Sequence, residues 1–256
     1  MDKTQVYFVG AGPGAADLIT LRGARLISEA DVIIYAGSLV NPQLLNYANE
    51  YAEIHNSAYM TLEEVLDIMK KAAAEGRIVC RLHTGDPSLY GAVREQMDAL
   101  DELGISYESC PGVSAAFGAA ASLDLEYTLP GLSQSLVITR MEGRTAVPEK
   151  ERIESWAAHG STMAIYLSAG MLEELSARLM AGGYSGDTPA ALVYKATWPD
   201  EETYCCTVAE LAATAREHGI TKTALILVGD VIAKSGYSRS KLYDKTFSTE
   251  FRKAKE

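Results

Sequence analysis

The sequence has 256 residues, which is long for one domain and sufficient for two of roughly 120 residues each. Hydrophobic residues make up 48% of it, enough to form cores, and the net charge of -11 argues against sequence-independent nucleic-acid binding, which requires a basic face. The charge is uneven: from Lys234 onward seven Lys and Arg stand against three Asp and Glu, so this tail carries +4 and the rest carries -15. We expect the tail to be solvated.

The sequence shows no pattern for export, membrane insertion or metal binding. Residues 1–5 lead directly into an apolar run, so we expect no signal peptide, and no apolar run approaches the roughly 18 residues of a membrane span. The cysteines at 80, 110, 205 and 206 lack Cys-x-x-Cys spacing, and with four scattered histidines they form no metal-ligand pattern. We therefore expect a reduced cytoplasmic enzyme with no metal, membrane or nucleic-acid partner.

Strands and helices alternate along the first half of the chain. Apolar runs predict strands over residues 6–9, 31–35, 77–82 and 105–109. Helical patterns follow these runs, over residues 17–29, 61–74, 91–103 and from about 115 onward. Thr61 and Glu64 form a capping box at the start of the second helix, and Gly76 is a candidate C-cap at its end. This alternation is typical of a parallel sheet with helices outside it.

Three glycine-bearing loops follow strands of this half, at residues 10–15, 84–87 and 111–114. Ligands of open α/β sheets bind beyond the carboxyl ends of the strands, so we expect the loops to meet at one binding edge. The first loop superficially fits Gly-x-Gly-x-x-Ala, the dinucleotide fingerprint. However, Pro13 removes a backbone N–H from it, and no acidic residue follows strand 31–35. An NAD-dependent oxidoreductase is therefore the weaker alternative.

The second half combines the same elements with a hairpin. Strands are predicted over residues 135–139, 162–167, 190–196, 203–206 and 224–228, and helices over 149–159, 171–180 and 208–218. The hairpin-like segment 196–203 indicates antiparallel pairing and hence a mixed sheet. The predicted fold class is α/β with two α/β domains, one over residues 1–124 with a mostly parallel sheet and one over 125–256 with a mixed sheet.

Four motifs stand in order along the chain: Val-Gly-Ala-Gly-Pro-Gly at 9–14, Leu-Ile-Thr-Leu-Arg-Gly at 18–23, Gly-Asp-Pro at 85–87 and Pro-Gly-Val-Ser-Ala at 111–115. Together with the late strands at 194–199 and 224–229, they resemble the tetrapyrrole methylase family of S-adenosylmethionine-dependent enzymes. The resemblance extends from Val6 to about Ile232. It implies two α/β domains with the cofactor in a cleft between them, and a homodimer.

The resemblance also implies the site residues, carried over position by position. The cofactor S-adenosylmethionine, released as S-adenosylhomocysteine, is expected to contact Pro13, Thr84, Gly85, Asp86, Ser88, Tyr90, Ser114, Ala115, Leu167, Ala196 and Ala224. Methyl transfer from a sulfonium to carbon needs no covalent intermediate, so most of the acceleration should come from positioning. No residue is identified as a catalytic base.

Segments 35–40, 139–145 and 240–244 resemble the branch that methylates C11 of precorrin-4 or its cobalt form in cobalamin biosynthesis. Uroporphyrinogen methylases usually carry Tyr-Asp-Arg-Leu-Val at the first of these segments. The implied tetrapyrrole substrate has many acetate and propionate groups, so an acidic protein needs a local cationic lining. The candidates for that lining are Arg81, Arg140, Arg144 and Lys195. Any cobalt would arrive inside the substrate, and His83 is expected to be a hydrogen-bonded structural histidine.

Other functions remain open. A methylase of the same family acting on another precorrin carbon or on uroporphyrinogen III is the nearest alternative. An RNA-modifying or diphthine-type relative would share the loops and the cofactor, although the acidic charge disfavours the RNA version. A ligand-binding module without catalysis is the weakest alternative, since simple capture does not require three tight loops and a second domain.

Overall fold

The computed structural model describes residues 5–254, which form ten strands and seven α-helices, with short 3-10 helices between them. The strands are β1 Val6–Gly10, β2 Val32–Tyr35, β3 Glu53–Asn56, β4 Val79–His83, β5 Tyr107–Cys110, β6 Leu136–Arg140, β7 Thr162–Tyr166, β8 Pro189–Tyr194, β9 Glu202–Thr207 and β10 Ala224–Val228. The helices are α1 Leu21–Glu29, α2 Leu62–Ala74, α3 Arg94–Leu103, α4 Ala115–Ser122, α5 Ile153–Ala157, α6 Leu172–Gly182 and α7 Leu211–Glu217.

The described chain divides into two compact units. The first contains the residues up to Gly118 together with Ala196–Asp200, and the second contains Ala119–Lys195 and the residues from Glu201 onward. The short segment Ala196–Asp200 connects β8 to β9, although it is grouped with the first unit. The domain boundary between residues 124 and 125 stays a prediction.

The sheet of the first unit is entirely parallel, with strand order β3-β2-β4-β1-β5. The chain leaves β1 toward β2 on one side and leaves β4 toward β5 on the other, so the neighbouring ends of β1 and β4 form the topological switch point of the sheet. Both strands are buried almost throughout, as expected when helices cover both faces. The switch point places the first two glycine-bearing loops side by side.

Local sequence signals explain how the helices of this unit begin and end. Thr61 Oγ1 accepts a hydrogen bond from Glu64 N at 3.3 Å, and the Glu64 carboxylate accepts one from Thr61 N at 2.7 Å, which confirms the predicted capping box. Gly76 follows the end of α2 with φ +69°, and Gly104 ends α3 with φ +65°. Glycine adopts this left-handed conformation without the steric cost that a Cβ imposes.

Several predicted boundaries differ from the structure. The helix predicted over 91–103 begins only at Arg94, because Tyr90 and Ala92 have φ of +55° and +48°, which no helix accommodates. The helix predicted over 149–159 is reduced to α5 after a 3-10 turn. Strand β3 was not predicted, since it is a short edge strand whose half-exposed polar residues give no apolar run.

The second unit has a mixed sheet with order β6-β7-β10-β8-β9, in which β6 and β7 are parallel and the other pairs are antiparallel. This confirms the predicted α/β fold class, with one parallel and one mixed sheet. Its core lies between the sheet and α5, α6 and α7, where large side chains such as Met163, Leu175 and Ile226 are fully buried. No helix within residues 5–254 has the length and apolar character needed to cross a membrane.

Candidate functional site

Backbone hydrogen bonds join the first two glycine-bearing loops. Gly12 N donates to Gly85 O at 3.2 Å, Gly85 N donates to Gly12 O at 2.8 Å, and Ala11 N donates to His83 O at 2.7 Å. Gly12 and Gly85 have φ of +80° and +60°. These two glycines are therefore required by backbone conformation, and the pairing extends the contact between β1 and β4 beyond the strands.

The third loop packs directly on the first two. A Cβ on Gly10 would lie 2.5 Å from Gly112 Cα and 2.7 Å from Gly85 O, and a Cβ on Gly112 would overlap Gly85 O. Neither Gly10 nor Gly112 has a positive φ, so close approach of backbone to backbone excludes a side chain there. We call the contact among Gly10, Gly12, Gly85 and Gly112 the glycine junction.

The Asp86 carboxylate stabilises the glycine junction through hydrogen bonds. Its Oδ1 accepts hydrogen bonds from Ser88 N at 2.9 Å and Ser88 Oγ at 2.5 Å, and its Oδ2 accepts one from Gly112 N at 2.8 Å. Partial burial raises the pKa of Asp86, but the hydrogen bonds from Ser88 and Gly112 together outweigh burial and lower that pKa below its usual range. Asp86 is therefore ionised at neutral pH and ties two of the loops together.

A short segment from the second half of the sequence covers the first loop. Trp198 Nε1 donates to Pro13 O at 3.1 Å, and Thr197 Oγ1 accepts from Ala15 N at 3.0 Å. A Cβ on Gly14 would collide with the Trp198 ring, so this glycine makes room for the indole. Neither Trp198 nor Thr197 was predicted as a site residue; the Trp-Pro turn was the available signal, but a turn motif does not reveal which distant loop it covers.

Many of the predicted cofactor contacts gather around this junction, in the first unit. Pro13 and Ala196 are both buried, and a Cβ on Gly85 would lie 3.7 Å from both Ala115 N and Ser114 Cα. Thr84 is half-buried, whereas Ser88 and Tyr90 are exposed. These positions lie on or beside the three loops, and the assignment of each as a cofactor contact stays a prediction.

Two predicted contacts belong to the second unit. Leu167 follows β7 with φ +54° and is 67% exposed, an unusual combination for a leucine that indicates local strain. Ala224 is buried at the start of β10, opposite Tyr194 of β8.

The four predicted cationic residues have very different surroundings. Arg140 donates to the backbone carbonyls of three residues in the loop that follows it, Met141, Thr145 and Ala146, and so closes its own loop. Arg144 is exposed. Lys195 has φ +46°, and its Nζ lies 5.4 Å from the centre of the Tyr194 ring. Arg81, by contrast, is only 7% exposed.

Arg81 lines a cavity of about 300 Å³ in the first unit. The cavity lies beyond the carboxyl ends of β2 and β4 and beside the first turns of α2 and α3, with Ser57, Thr61, Thr84 and Gln96 supplying further polar groups. His83 also lines it, with its ring stacked on Phe8 at a centroid distance of 6.1 Å.

His83 was expected to be a hydrogen-bonded structural histidine. For its Nε2 atom this prediction is wrong, because Nε2 is buried and has no hydrogen-bond partner within residues 5–254. Burial, and to a smaller degree the positive charge of Arg81, lowers the pKa of His83 to about 3, so the ring is neutral at physiological pH. His83 is buried because it lies on β4 beside the cavity, but no donor or acceptor of the described residues reaches its Nε2.

Comparison with known proteins places this fold and these loops in one family. Residues 5–212 match the family model for tetrapyrrole (corrin/porphyrin) methylases. The chain therefore belongs to the tetrapyrrole methylase family, as its motifs predicted, and it is a methyltransferase.

Two of its relatives belong to the precorrin-4 branch of that family. The chain is 53% identical to the cobalt-precorrin-4 C(11)-methyltransferase of Methanocaldococcus jannaschii, over 99% of this chain and 98% of that protein. It is 44% identical to the precorrin-4 C(11)-methyltransferase of Pseudomonas aeruginosa, over 93% of this chain and 94% of that protein.

Two solved structures illustrate the fold. The X-ray structure of a cobalamin biosynthetic enzyme, a cobalt precorrin-4 methyltransferase, matches with a TM-score of 0.87 and 44% identity, covering 89% of this chain and 95% of that one. A uroporphyrin-III C-methyltransferase from Thermus thermophilus, complexed with S-adenosylhomocysteine, matches with a TM-score of 0.77 and 26% identity, covering 90% of this chain and 100% of that one.

Proposed function

We propose that this protein is an S-adenosylmethionine-dependent C-methyltransferase that methylates C11 of precorrin-4, or of its cobalt form, in cobalamin biosynthesis. The observation that carries the proposal is the 53% identity with a cobalt-precorrin-4 C(11)-methyltransferase over 99% of the chain. Identity falls to 36% with the uroporphyrinogen-III C-methyltransferase of Priestia megaterium and to 26% with the uroporphyrin-III methyltransferase structure, although the fold is retained, which disfavours uroporphyrinogen as the substrate.

The residues around the glycine junction fit the proposed cofactor. The junction is held by backbone hydrogen bonds and by Asp86, and Ser114 and Ala115 lie at ordinary contact distance from Gly85, 3.7 Å from a Cβ built there, so predicted contacts of the second and third loops adjoin one another. We assign cofactor contacts to Pro13, Thr84, Gly85, Asp86, Ser88, Tyr90, Ser114, Ala115 and Ala196, and keep Leu167 and Ala224 of the second unit as further contacts. When bound, S-adenosylmethionine supplies an electrophilic methyl group on a positively charged sulfur.

The chain contributes position and electrostatics to this reaction. Ionised Asp86 gives the loops a negative charge that attracts the sulfonium more than its neutral product, which favours cofactor binding and product release; it does not accelerate the transfer itself. The rigid backbone of the junction fixes where the reacting groups lie, and holding two reactants at about 3–3.5 Å in the correct alignment supplies much of the acceleration in such transfers. Charged side chains that pair with substrate carboxylates would set which ring carbon is presented.

We also propose that the protein works as a homodimer in the cytoplasm. The homodimer rests on the family resemblance, and the reducing compartment on the four free cysteines. Light scattering after size-exclusion chromatography measures the oligomeric state directly. A mass near twice 27.6 kDa supports the homodimer, and a mass near 27.6 kDa contradicts it.

Regiochemistry tests the proposed function. The purified protein is incubated with S-adenosylmethionine carrying a carbon-13 methyl group and, in separate reactions, with precorrin-4, cobalt-precorrin-4 and uroporphyrinogen III. We expect one labelled methyl group at C11 of a precorrin-4 form in the carbon NMR spectrum. Label at another carbon, or only on uroporphyrinogen III, would assign the chain to a different reaction of the family. Thermal stabilisation by NAD but not by S-adenosylhomocysteine would favour the oxidoreductase alternative instead.

A further inference from the structure

Arg81 is the only arginine among residues 5–254 that is buried, and it has no counter-ion there. Its Nε donates to Gln96 Oε1 at 3.1 Å and its Nη1 donates to Ile34 O at 3.3 Å, and both acceptors are neutral. Even the more exposed Arg77 and Arg178 pair with two or more glutamates each. A buried charge without a partner is costly, so its retention indicates an anion that the chain itself does not provide.

The Arg81 guanidinium is held in one orientation. Gln96 Nε2 donates to Ala92 O at 2.9 Å, which turns the amide oxygen of Gln96 toward Arg81. A guanidinium has five N–H donors in a fixed fork, and the two bonds to Gln96 and Ile34 leave the others without a hydrogen bond inside the described chain. The pKa of Arg81 is lowered by burial to about 10, so the side chain stays charged at neutral pH.

His83 adds a second unpartnered polar group on the same face. Residues two apart on a strand point to the same side of the sheet, and both Arg81 and His83 line the 300 Å³ cavity. His83 is 5% exposed, and its Nε2 has no hydrogen-bond partner within the described residues. Glu95, an exposed residue, is the one carboxylate among the lining residues, and it makes no ion pair with Arg81.

We propose that this cavity is a subsite for one carboxylate of the substrate, gripped by the Arg81 fork with His83 Nε2 as an additional hydrogen-bonding group. The inference rests on the proposed function, because it takes the carboxylate to be an acetate or propionate arm of the tetrapyrrole. The cavity of about 300 Å³ has ample room for such an arm. A forked guanidinium recognises the planar carboxylate through two parallel hydrogen bonds.

The subsite is tested with Arg81→Met, which removes the charge and keeps much of the volume. We expect the KM for the precorrin-4 form that is turned over to rise roughly 10- to 100-fold, as for a lost hydrogen bond to a charged group, while the Kd for S-adenosylhomocysteine from calorimetry changes less than about twofold. Arg94→Met is the matched control, since Arg94 is an exposed α3 residue paired with Asp98 and Asp101, and its KM should stay at the wild-type value.

Two other results would overturn the proposal. An unchanged KM for Arg81→Met means that no substrate carboxylate is bound there, whereas a weakened affinity for S-adenosylhomocysteine means that the cavity serves the carboxylate of the cofactor.

A measurement on the wild-type protein needs neither a foldable variant nor the proposed reaction. Titration with propionate alone should shift the imidazole NMR resonances of His83, assigned with His83→Gln, because a nearby anion favours a hydrogen-bonded or protonated ring. A shift without turnover of any precorrin would support the anion subsite and contradict the proposed function. If the His83 resonances do not shift up to molar propionate and Arg81→Met has the wild-type KM, the subsite is contradicted and the proposed function is not.

Discussion

Replacing Gly112 with alanine perturbs the glycine junction without changing charge or requiring a strained φ. The new Cβ would lie 2.7 Å from Gly10 Cα and overlap Gly85 O, where carbon contacts normally begin at about 3.5–4.0 Å. Both neighbours are backbone atoms held by hydrogen bonds, so the loops must separate by roughly an ångström. Overpacking of this kind costs about 1–3 kcal/mol, and we expect the upper end because no flexible side chain can move aside.

The free energy of unfolding in urea measures this cost, and calorimetry with S-adenosylhomocysteine measures its effect on the proposed site. We expect Gly112→Ala to lose about 3 kcal/mol of stability and to bind S-adenosylhomocysteine at least tenfold more weakly. Gly170→Ala is the control, since its nearest neighbour, Thr221 O, is at 3.5 Å and its φ is not positive. A Gly112→Ala protein with wild-type stability and affinity would show that close backbone contact at Gly112 is not needed to build the site.

Three further changes test individual contacts. Asp86→Asn should lose stability relative to wild type above the ordinary Asp pKa of about 3.9, and the difference should vanish as pH falls through the lowered pKa of folded Asp86, as measured by urea unfolding from pH 2.5 to 6. Trp198→Phe removes the hydrogen bond to Pro13 O and should cost about 1 kcal/mol, with weaker S-adenosylhomocysteine binding. Thr61→Ala removes half of the capping box with Glu64 and should cost about 1 kcal/mol without affecting cofactor binding.

Each of these outcomes has a contrary result. A stability difference for Asp86→Asn that persists at the lowest pH would mean that the ionised carboxylate is not what joins the loops. Unchanged cofactor affinity in Trp198→Phe would separate the segment Ala196–Asp200 from the proposed site. Weakened cofactor binding in Thr61→Ala would show that the cavity lined by Thr61 and Thr84 takes part in cofactor binding.

The fold was predictable from the sequence where the signals are local. Parallel strands buried on both faces appear as continuous apolar runs, and β1, β2 and β4 were predicted within two residues of their ends. The capping box at Thr61 and the stop at Gly104 are also local. Strand β3 and the late start of α3 were missed, because an edge strand has no apolar run and left-handed residues such as Tyr90 and Ala92 have no compositional signature.

The site was predictable as a set of loops but not as a set of contacts. Glycine-rich loops after strands predicted one binding edge, and the structure joins all three of them at Gly10, Gly85 and Gly112. The cover provided by Trp198 depends on tertiary proximity across more than half of the sequence, which no local pattern contains. For the same reason, residue type alone could not distinguish Arg81, buried without a counter-ion, from Arg140, whose guanidinium is occupied by its own loop.

A crystal structure of the protein with S-adenosylhomocysteine tests whether the three glycine-bearing loops bind the cofactor. We expect electron density for the ligand against Thr84–Asp86 and Ser114–Ala115, with Pro13 and Ala196 also in contact and the glycine junction unchanged. Ligand density elsewhere on the molecule, or no density at saturating concentration, would contradict this expectation.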